Sequence, residues 1–246
     1  GIHDDMRPTM HNVDFETLFM QLRGKEMEGN EEAFQVCYTN MARIYSVSHW
    51  ERGVGYVNRL NAERINGAFT NLIKSQIKNR KIRYPKESLA ITPFNAKSFN
   101  PVTQDPQFVW FGHSVVLLRL GGKNLLIDPM FGQDTTPIAP FVSRRFSQAT
   151  MEIIDRLPKI DAILLTHDHY DHLDYGSIQI LKSKTDTFLV ALGVARHLHR
   201  WGIPDEHVTE LDWYDSIDLD EIEIIFTPSR HFSGRGLFDR AKCLWG

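Results

Sequence analysis

The side chains best suited to chemistry in this chain stand in one short segment, residues 167–172, called here the 167–172 loop. It holds three histidines and two aspartates within six positions, and it directly follows the apolar run 160–165, which predicts a buried strand. A loop at a strand end can direct several side chains to one point, as a metal ion requires. The alternative interpretation is a polar surface loop that is rich in histidine without binding a metal.

Neutral imidazole and carboxylate are suitable ligands for zinc and similar divalent ions. We predict that His167 and His169 bind one metal, while Asp171 and His172 face a second. Two metals about 3.5–4 Å apart can hold a bridging hydroxide, the nucleophile of a hydrolase. Cys37 and Cys243 are the only cysteines, so neither a disulfide framework nor a thiolate metal site is expected.

Composition excludes several classes of protein. The 246 residues are 42% apolar and 24% charged, which is ordinary for a globular protein. The net charge of −3 argues against a nucleic-acid partner. No apolar stretch approaches the ~18 residues of a membrane span. No signal peptide is visible, but the chain begins at Gly1 rather than Met, so this says little about its compartment.

The first hundred residues have a different pattern from the rest. Apolar residues at helical spacing, clearest between Ile65 and Ile77, predict a helical region over residues 12–80 with breaks at glycines. The breaks fall near Gly24, Gly29 and 53–55. Four prolines within residues 85–106 indicate an extended linker. We therefore predict an N-terminal helical extension with its linker over residues 1–106, followed by a second domain over residues 107–246.

The second domain alternates between strand and helix patterns. Gly121 and Gly122 indicate a hairpin, because two glycines accept the positive φ angles of a type I′ turn. The apolar run 241–245 looks like the start of another strand. The predicted strands are 108–111, 114–120, 123–127, 160–165, 188–190, 208–211 and 221–226, and the predicted helices are 173–182 and 194–201.

The 167–172 loop resembles the H-x-H-x-D-H motif of the metallo-β-lactamase superfamily. Longer strings resemble one branch of it, the N-acyl-phosphatidylethanolamine-hydrolysing phospholipases D, over about residues 107–246. These strings are Trp110-Phe111-Gly112-His113, Leu126-Ile127-Asp128-Pro129, Asp168-His169-Tyr170-Asp171-His172-Leu173-Asp174-Tyr175, Glu210-Leu211-Asp212-Trp213, Phe226-Thr227-Pro228-Ser229-Arg230-His231, Leu237-Phe238-Asp239-Arg240 and Leu244-Trp245-Gly246.

The resemblance implies an α+β fold, the αββα sandwich, with a dinuclear zinc site at one edge. It implies one zinc on His167, His169 and His231, and a second zinc on Asp171 and His172. It also implies that Asp171 orients the attacking hydroxide.

The resemblance further implies that Asp128 accepts a hydrogen bond from a ligand imidazole and fixes its tautomer. From the residues alone, an alternative for Asp128 is a turn or N-cap aspartate. The alternative for His231 is a surface histidine. His113 is left outside the ligand set, as a structural or turn residue. His197 and His199 fall on a predicted helix, about 200° apart around its axis, and are predicted to lie on the surface.

A complete site of this family needs a bridging aspartate and a final histidine downstream of the His231 region. The chain ends at Gly246, fifteen residues past His231 (246 − 231 = 15). We therefore expect it to supply the N-terminal portion of the domain, a full ligand set for at most one ion, and weak or no activity alone. A shortened gene product, a missing segment and completion by another chain all fit this expectation.

The function implied is a zinc-dependent phosphodiesterase of the phospholipase D type, which acts on N-acylated phosphatidylethanolamine-like phospholipids through a metal-bound hydroxide. Alternatives are a hydrolase of the same fold for a lactone, thioester or other ester, and a non-catalytic remnant. The partners implied are a phospholipid substrate, a peripheral membrane contact and a second copy of the chain. A basic cluster between Lys74 and Lys86 fits lipid headgroups or phosphate, or else forms a solvated helix face and tail.

Overall fold

The structure is a computed structural model. It describes residues 49–51, 55–57, 85–87, 89–90, 92–97, 99, 105–135, 144–147, 150–229, 231–236 and 239–246. The chain divides into two compact units, Gly1–Val47 and Ser48–Gly246, and the first lies outside the described residues. The predicted boundary between residues 106 and 107 stays a prediction.

A six-stranded mixed sheet is the framework of the second unit. Its strands in chain order are β3 (Gln107–Trp110), β4 (Val116–Leu120), β5 (Lys123–Ile127), β6 (Ala162–Leu165), β7 (Phe188–Ala191) and β8 (Val208–Leu211), and this is also their order across the sheet. The pairs β3–β4 and β4–β5 are antiparallel, whereas β5, β6, β7 and β8 pair in parallel. Parallel neighbours place their carboxyl ends at one edge of the sheet, where loops can converge.

Short helices connect the parallel strands. They are α1 (Ile153–Arg156), α2 (Tyr175–Leu181) and α3 (Ala195–Arg200), with a 3₁₀ turn at Asp205–His207 before β8. Helix α2 begins where the Asp174 carboxylate accepts a hydrogen bond from the Ser177 backbone N–H at 2.9 Å, which satisfies a free donor of the first turn. It buries Ile178 and Leu181 and so fixes the direction in which the chain leaves the 167–172 loop.

Apolar side chains alternate between the two faces of the sheet. One face carries Leu117, Leu126 and Ile163, against which the buried residues of the three helices pack. The opposite face carries a smaller cluster around Leu125 and Leu189, packed by a two-stranded antiparallel sheet of β9 (Ser216–Leu219) and β10 (Ile222–Ile225). Because both faces are covered, the central strands have nearly continuous apolar sequences.

The hairpin predicted at Gly121 and Gly122 is confirmed. Both residues have positive φ angles, +52° and +75°, and Leu120 pairs with Lys123 across the turn. The apolar run 241–245 is not a strand, so that prediction is wrong. Its residues Cys243, Leu244 and Trp245 are buried in an irregular segment. The backbone N–H groups of Leu244 and Gly246 donate to the carbonyls of Leu192 and Thr166, which directly follow β7 and β6, rather than to a regular strand ladder.

The predicted helical region over residues 12–80 lies almost entirely outside the described residues. Within it, the structure describes one antiparallel hairpin, β1 (His49–Glu51) and β2 (Gly55–Val57), around the predicted glycine break. The basic cluster is likewise outside the described residues, except for Lys86. None of the helices in the described part of the chain combines the length and hydropathy needed to cross a bilayer.

Candidate metal centre

The candidate site lies where β5 and β6 end. Strand β6 leads through Thr166 into the 167–172 loop, and its parallel neighbour β5 leads directly into Asp128. His113 lies in the turn between β3 and β4, and His231 follows β10. Four separate segments thus deliver side chains to one edge of the sheet.

Three imidazoles form the first ligand group. The Nε2 atom of His167 is 2.9 Å from the Nδ1 atom of His169, and the Nε2 atom of His231 is 3.1 Å from each of these nitrogens. Nitrogens about 2.0–2.1 Å from a common cation, at angles between a right angle and the tetrahedral angle, lie about 2.8–3.4 Å from one another, so the spacing fits a shared ion. Each ring nitrogen of a neutral imidazole carries either an N–H or a lone pair, and three lone pairs that face one another favour a shared cation.

A second ligand group adjoins the first. The Nε2 atom of His113 is 2.9 Å from the Oδ2 atom of Asp171, which is 3.9 Å from the Nε2 atom of His172. The ligand atoms of these three residues all lie within 4.8 Å of one another. The His167 and His172 rings, one from each group, have centroids 4.1 Å apart. The two groups can therefore hold two cations side by side.

His113 is a residue that the sequence interpretation left out of the ligand set. Its backbone has a φ of +48°, a left-handed conformation that is uncommon for a residue with a side chain. The Gly112-His113 pair at the end of β3 was the available signal, but spacing alone does not show that it reaches Asp171, 58 residues later.

Asp128 holds the second group in place. Its buried carboxylate accepts hydrogen bonds from the Thr166 backbone N–H at 2.9 Å and from the Thr166 hydroxyl at 2.7 Å. It also lies 2.8 Å from the Nδ1 atom of His172, which leaves the Nε2 atom of that ring free to face the ligand group. The φ of Asp128 is +42°, and a buried, fully bonded side chain can maintain such backbone strain.

Burial and mutual proximity keep the first group uncharged. Burial, with the nearby His172 and His169 rings, lowers the pKa of His167 to about 2. Burial, with His231, lowers the pKa of His169 to about 4. The pKa of His231 is also lowered, mainly by burial. Unprotonated imidazoles can bind a cation without first losing a proton.

The second group, unlike the first, contains groups whose charged forms are favoured. Burial disfavours the ionised form of Asp171, but the hydrogen bond from His113 and the nearby His172 outweigh it and hold the pKa of this carboxyl below its usual range. Burial similarly opposes protonation of His172, but the Asp128 hydrogen bond outweighs it and raises the pKa of the imidazole. An anionic carboxylate therefore stands beside the neutral imidazoles of the first group, which favours a divalent cation.

These shifts predict that the metal-free chain loses stability in mild acid. The folded-state pKa values of His167, His169 and His231 lie below the usual 6.5, so the unfolded chain binds more protons as the pH falls below that value. The buried His167 alone contributes a loss of about 1.4 kcal/mol over the whole interval from pH 7.5 to pH 5.5, because its unfolded form takes up its proton around pH 6.5. His172 acts in the opposite sense, because its raised pKa adds stability below 6.5 that is lost as the pH rises.

Three histidines with lowered pKa values destabilise the fold on acidification, whereas only His172 stabilises it. We therefore expect the melting temperature of the chelator-treated chain to decrease as the pH is lowered from 7.5 to 5.5. Differential scanning calorimetry in matched buffers measures this. A His167→Ala variant removes the largest contributor and should show a shallower slope. A wild-type melting temperature that is constant or rises on acidification would contradict the prediction.

The prediction that His197 and His199 both lie on the surface is wrong for His197. His199 is partly exposed and pairs with Asp205 at 2.8 Å, but His197 is buried with its Nε2 atom 3.3 Å from the Oδ2 atom of Asp168. Helix α3 turns this ring towards the buried Asp168 carboxylate, which needs donors.

Cys243 joins Asp168 and His197 in a third buried group whose ligand atoms lie within 4.8 Å of one another. The Arg196 guanidinium already lies there, 3.5 Å from Asp168 and 3.3 Å from the His197 ring. Because this charge neutralises the carboxylate, the group does not fit a further cation. It serves instead as support behind the 167–172 loop.

Comparison with known proteins places the chain in a family. Residues 123–246 match the family described as the Beta-lactamase superfamily domain. The match covers half of the chain, and the chain therefore belongs to this superfamily. The expected α+β, metallo-β-lactamase-like fold is confirmed.

Several relatives share this part of the chain. A protein of Mycobacterium bovis is 40% identical over 137 residues, which are 55% of this chain and 36% of that protein. N-acyl-phosphatidylethanolamine-hydrolyzing phospholipase D 1 of Caenorhabditis elegans is 32% identical over 146 residues, 55% of this chain and 40% of that enzyme. A metal-dependent hydrolase of Pyrobaculum arsenaticum is 30% identical over 131 residues, 53% of this chain and 52% of that protein. The chain thus spans about a third to a half of the length of these relatives.

Solved structures resemble the chain less closely. A metallo hydrolase from the archaeon Ignicoccus hospitalis has a TM-score of 0.40 and 24% identity, over 53% of this chain and 52% of that one. A diiron β-hydroxylase from Streptomyces venezuelae has a TM-score of 0.39 and 22% identity, over 71% of this chain and 34% of that one. Overlaps of this size carry no conclusion about the reaction.

Proposed function

We propose that this chain carries the metal-binding part of a zinc-dependent phosphodiesterase of the phospholipase D type, which acts on N-acylated phosphatidylethanolamine-like phospholipids. The observation that carries the proposal is the contact between two ligand groups, one of three imidazoles and one of two imidazoles and a carboxylate. We assign His167, His169 and His231 to one zinc ion, and Asp171 and His172, with His113, to a second. Zinc fits this set because imidazole and carboxylate are its usual non-thiolate ligands.

Zinc, when bound, makes a water acidic enough to supply a nucleophile near neutral pH. The side chains of the chain provide the rest of the arrangement. Asp171, kept ionised by His113 and His172, can accept a hydrogen bond from the attacking water and orient it for in-line attack on phosphorus. Asp128 fixes the His172 tautomer and so keeps its Nε2 atom directed at the site.

Two exposed aromatic side chains adjoin the ligand groups and favour a substrate with an apolar part. The Trp110 indole N–H donates to the backbone carbonyl of His113 at 2.9 Å, and 64% of this residue is exposed. The Phe232 ring lies 4.7 Å from the His169 ring and is 45% exposed. Apolar surface next to each of the two ligand groups suits an amphipathic lipid and a peripheral contact with its bilayer.

The identity of the substrate is supported by the names of two relatives. Besides the Caenorhabditis elegans phospholipase, N-acyl-phosphatidylethanolamine-hydrolyzing phospholipase D of Saccharomyces cerevisiae is 31% identical over 141 residues, 55% of this chain and 29% of that enzyme. The exposed aromatic side chains are consistent with such a lipid substrate.

A substrate comparison tests the proposal. Because the chain is predicted to supply only the N-terminal portion of the domain, we expect the zinc-loaded chain to release phosphatidic acid at a low but measurable rate from vesicles that contain N-acyl-phosphatidylethanolamine, and to leave a panel of lactones and thioesters unchanged. Vesicles of phosphatidylcholine alone serve as the control for nonspecific hydrolysis. Turnover of a lactone or thioester without turnover of the lipid would reject the phospholipase assignment but keep the metal-dependent hydrolase.

A further inference from the structure

We propose that Arg235 is the positioning residue that fixes His231 against the 167–172 loop and so assembles the three-imidazole group. The inference rests on the proposed metal site, since it concerns how that site is held together. His231 comes from a different segment than His167 and His169, so some contact must set the distance between the two segments. Arg235, four residues after His231 (235 − 231 = 4), supplies it.

The Arg235 guanidinium bridges the two ends of the segment from Asp168 to Leu173. Its Nη1 atom donates hydrogen bonds to the backbone carbonyl of Asp168 at 2.9 Å and to that of Leu173 at 2.7 Å. Its Cζ atom lies 3.9 Å from the centroid of the Tyr170 ring and 5.5 Å from that of the Trp201 ring. A planar guanidinium can bond in its plane and stack on its face at once, which a lysine ammonium cannot do.

A second contact ties the same two segments from the other side. The Gly234 backbone N–H donates to the Oδ1 atom of Asp168 at 2.6 Å. Gly234 has a φ of +130°, and a Cβ atom there would stand 2.9 Å from the Arg240 Cα atom, so the close approach requires glycine. The Ser233 hydroxyl, also buried, donates to the Cys243 carbonyl. The residues between His231 and Arg235 are therefore held by contacts on successive positions.

The consequence is that the position of the His231 ring depends on Arg235, although this residue does not face the ligand nitrogens. Metal affinity is sensitive to such support, because ligands displaced by a fraction of an ångström no longer match the preferred geometry of the ion. Arg240 offers a matched comparison in the same segment. It is exposed, and its guanidinium lies over the Phe232 ring at 4.9 Å.

The test is a Co²⁺ titration of the full chain, followed by its d–d absorption bands, with Zn²⁺ competition for affinity. We expect Arg235→Met to weaken binding by about 10–100-fold and to change the band pattern of the Co²⁺ that still binds. The metal affinity of Arg235→Lys, whose side chain can donate to a carbonyl but cannot stack, should lie between those of the wild type and Arg235→Met. The control Arg240→Met should bind within about twofold of the wild type. The melting temperatures of the metal-free variants are measured alongside.

The outcomes separate this inference from the proposed function. A wild-type chain that binds no Co²⁺ overturns the metal site, and the inference with it. A wild-type chain that binds Co²⁺, with an Arg235→Met variant of equal affinity and spectrum, overturns the positioning role alone, even where the melting temperature falls. If Arg235→Met does not fold, Arg235→Lys decides: wild-type affinity and spectrum in that variant overturn the inference.

Discussion

Replacing His167 with alanine is expected to lower zinc affinity on the order of 10²–10³-fold, since roughly 10–16 kcal/mol for a four-ligand structural zinc site is about 2.5–4 kcal/mol per ligand. His167 is the buried member of the first group, and its Nε2 atom lies within 3.1 Å of ligand nitrogens on both His169 and His231. Isothermal titration calorimetry against a competing chelator measures the loss.

His199→Ala is the matched control, because it removes an imidazole that pairs with the exposed Asp205 rather than with the ligand groups. We expect it to bind zinc as the wild type does. Equal affinity in wild type and His167→Ala, or equal losses in the two variants, would show that the three imidazoles do not form a common metal site.

Replacing Asp171 with asparagine is expected to lower kcat for phosphodiester hydrolysis on the order of 10²–10⁴-fold, the range for a positioned acid–base group. The amide keeps the size of the side chain but removes the negative charge that His113 and His172 face at 2.9 Å and 3.9 Å. It loses both the ligand charge and the acceptor that orients the attacking water. The zinc-loaded variant is assayed on N-acyl-phosphatidylethanolamine vesicles and on a chromogenic phosphodiester.

Asp205→Asn serves as the control for a lost carboxylate, since that side chain is exposed and its partner is His199. Its kcat should match that of the wild type. An Asp171→Asn variant with wild-type kcat and a normal zinc content would remove Asp171 from the catalytic arrangement. A variant that has lost both zinc and activity would assign Asp171 mainly to metal binding.

The parts of this site that lie close together in the sequence were predictable from it. The 167–172 loop concentrates its ligands directly after β6. Because β6 lies between β5 and β7 in the sheet, it is buried and has a recognisable apolar run. The Gly121-Gly122 turn was predictable for the same reason, because the type I′ conformation is a property of two adjacent residues. By contrast, β9 has an alternating pattern of only four residues, and α1 is a single turn, so neither gave a pattern long enough to predict.

The sequence by itself determined the superfamily motif, the donor types and the strand that presents them, because these depend on local spacing and on hydrophobic period. Only the tertiary structure decided which distant residues meet that loop. His113 reaches Asp171 across 58 positions, and His197 is buried because it meets Asp168 across 29. The physical reason is that such contacts follow from strand order and from the need of buried carboxylates for donors, neither of which has a fixed spacing along the chain.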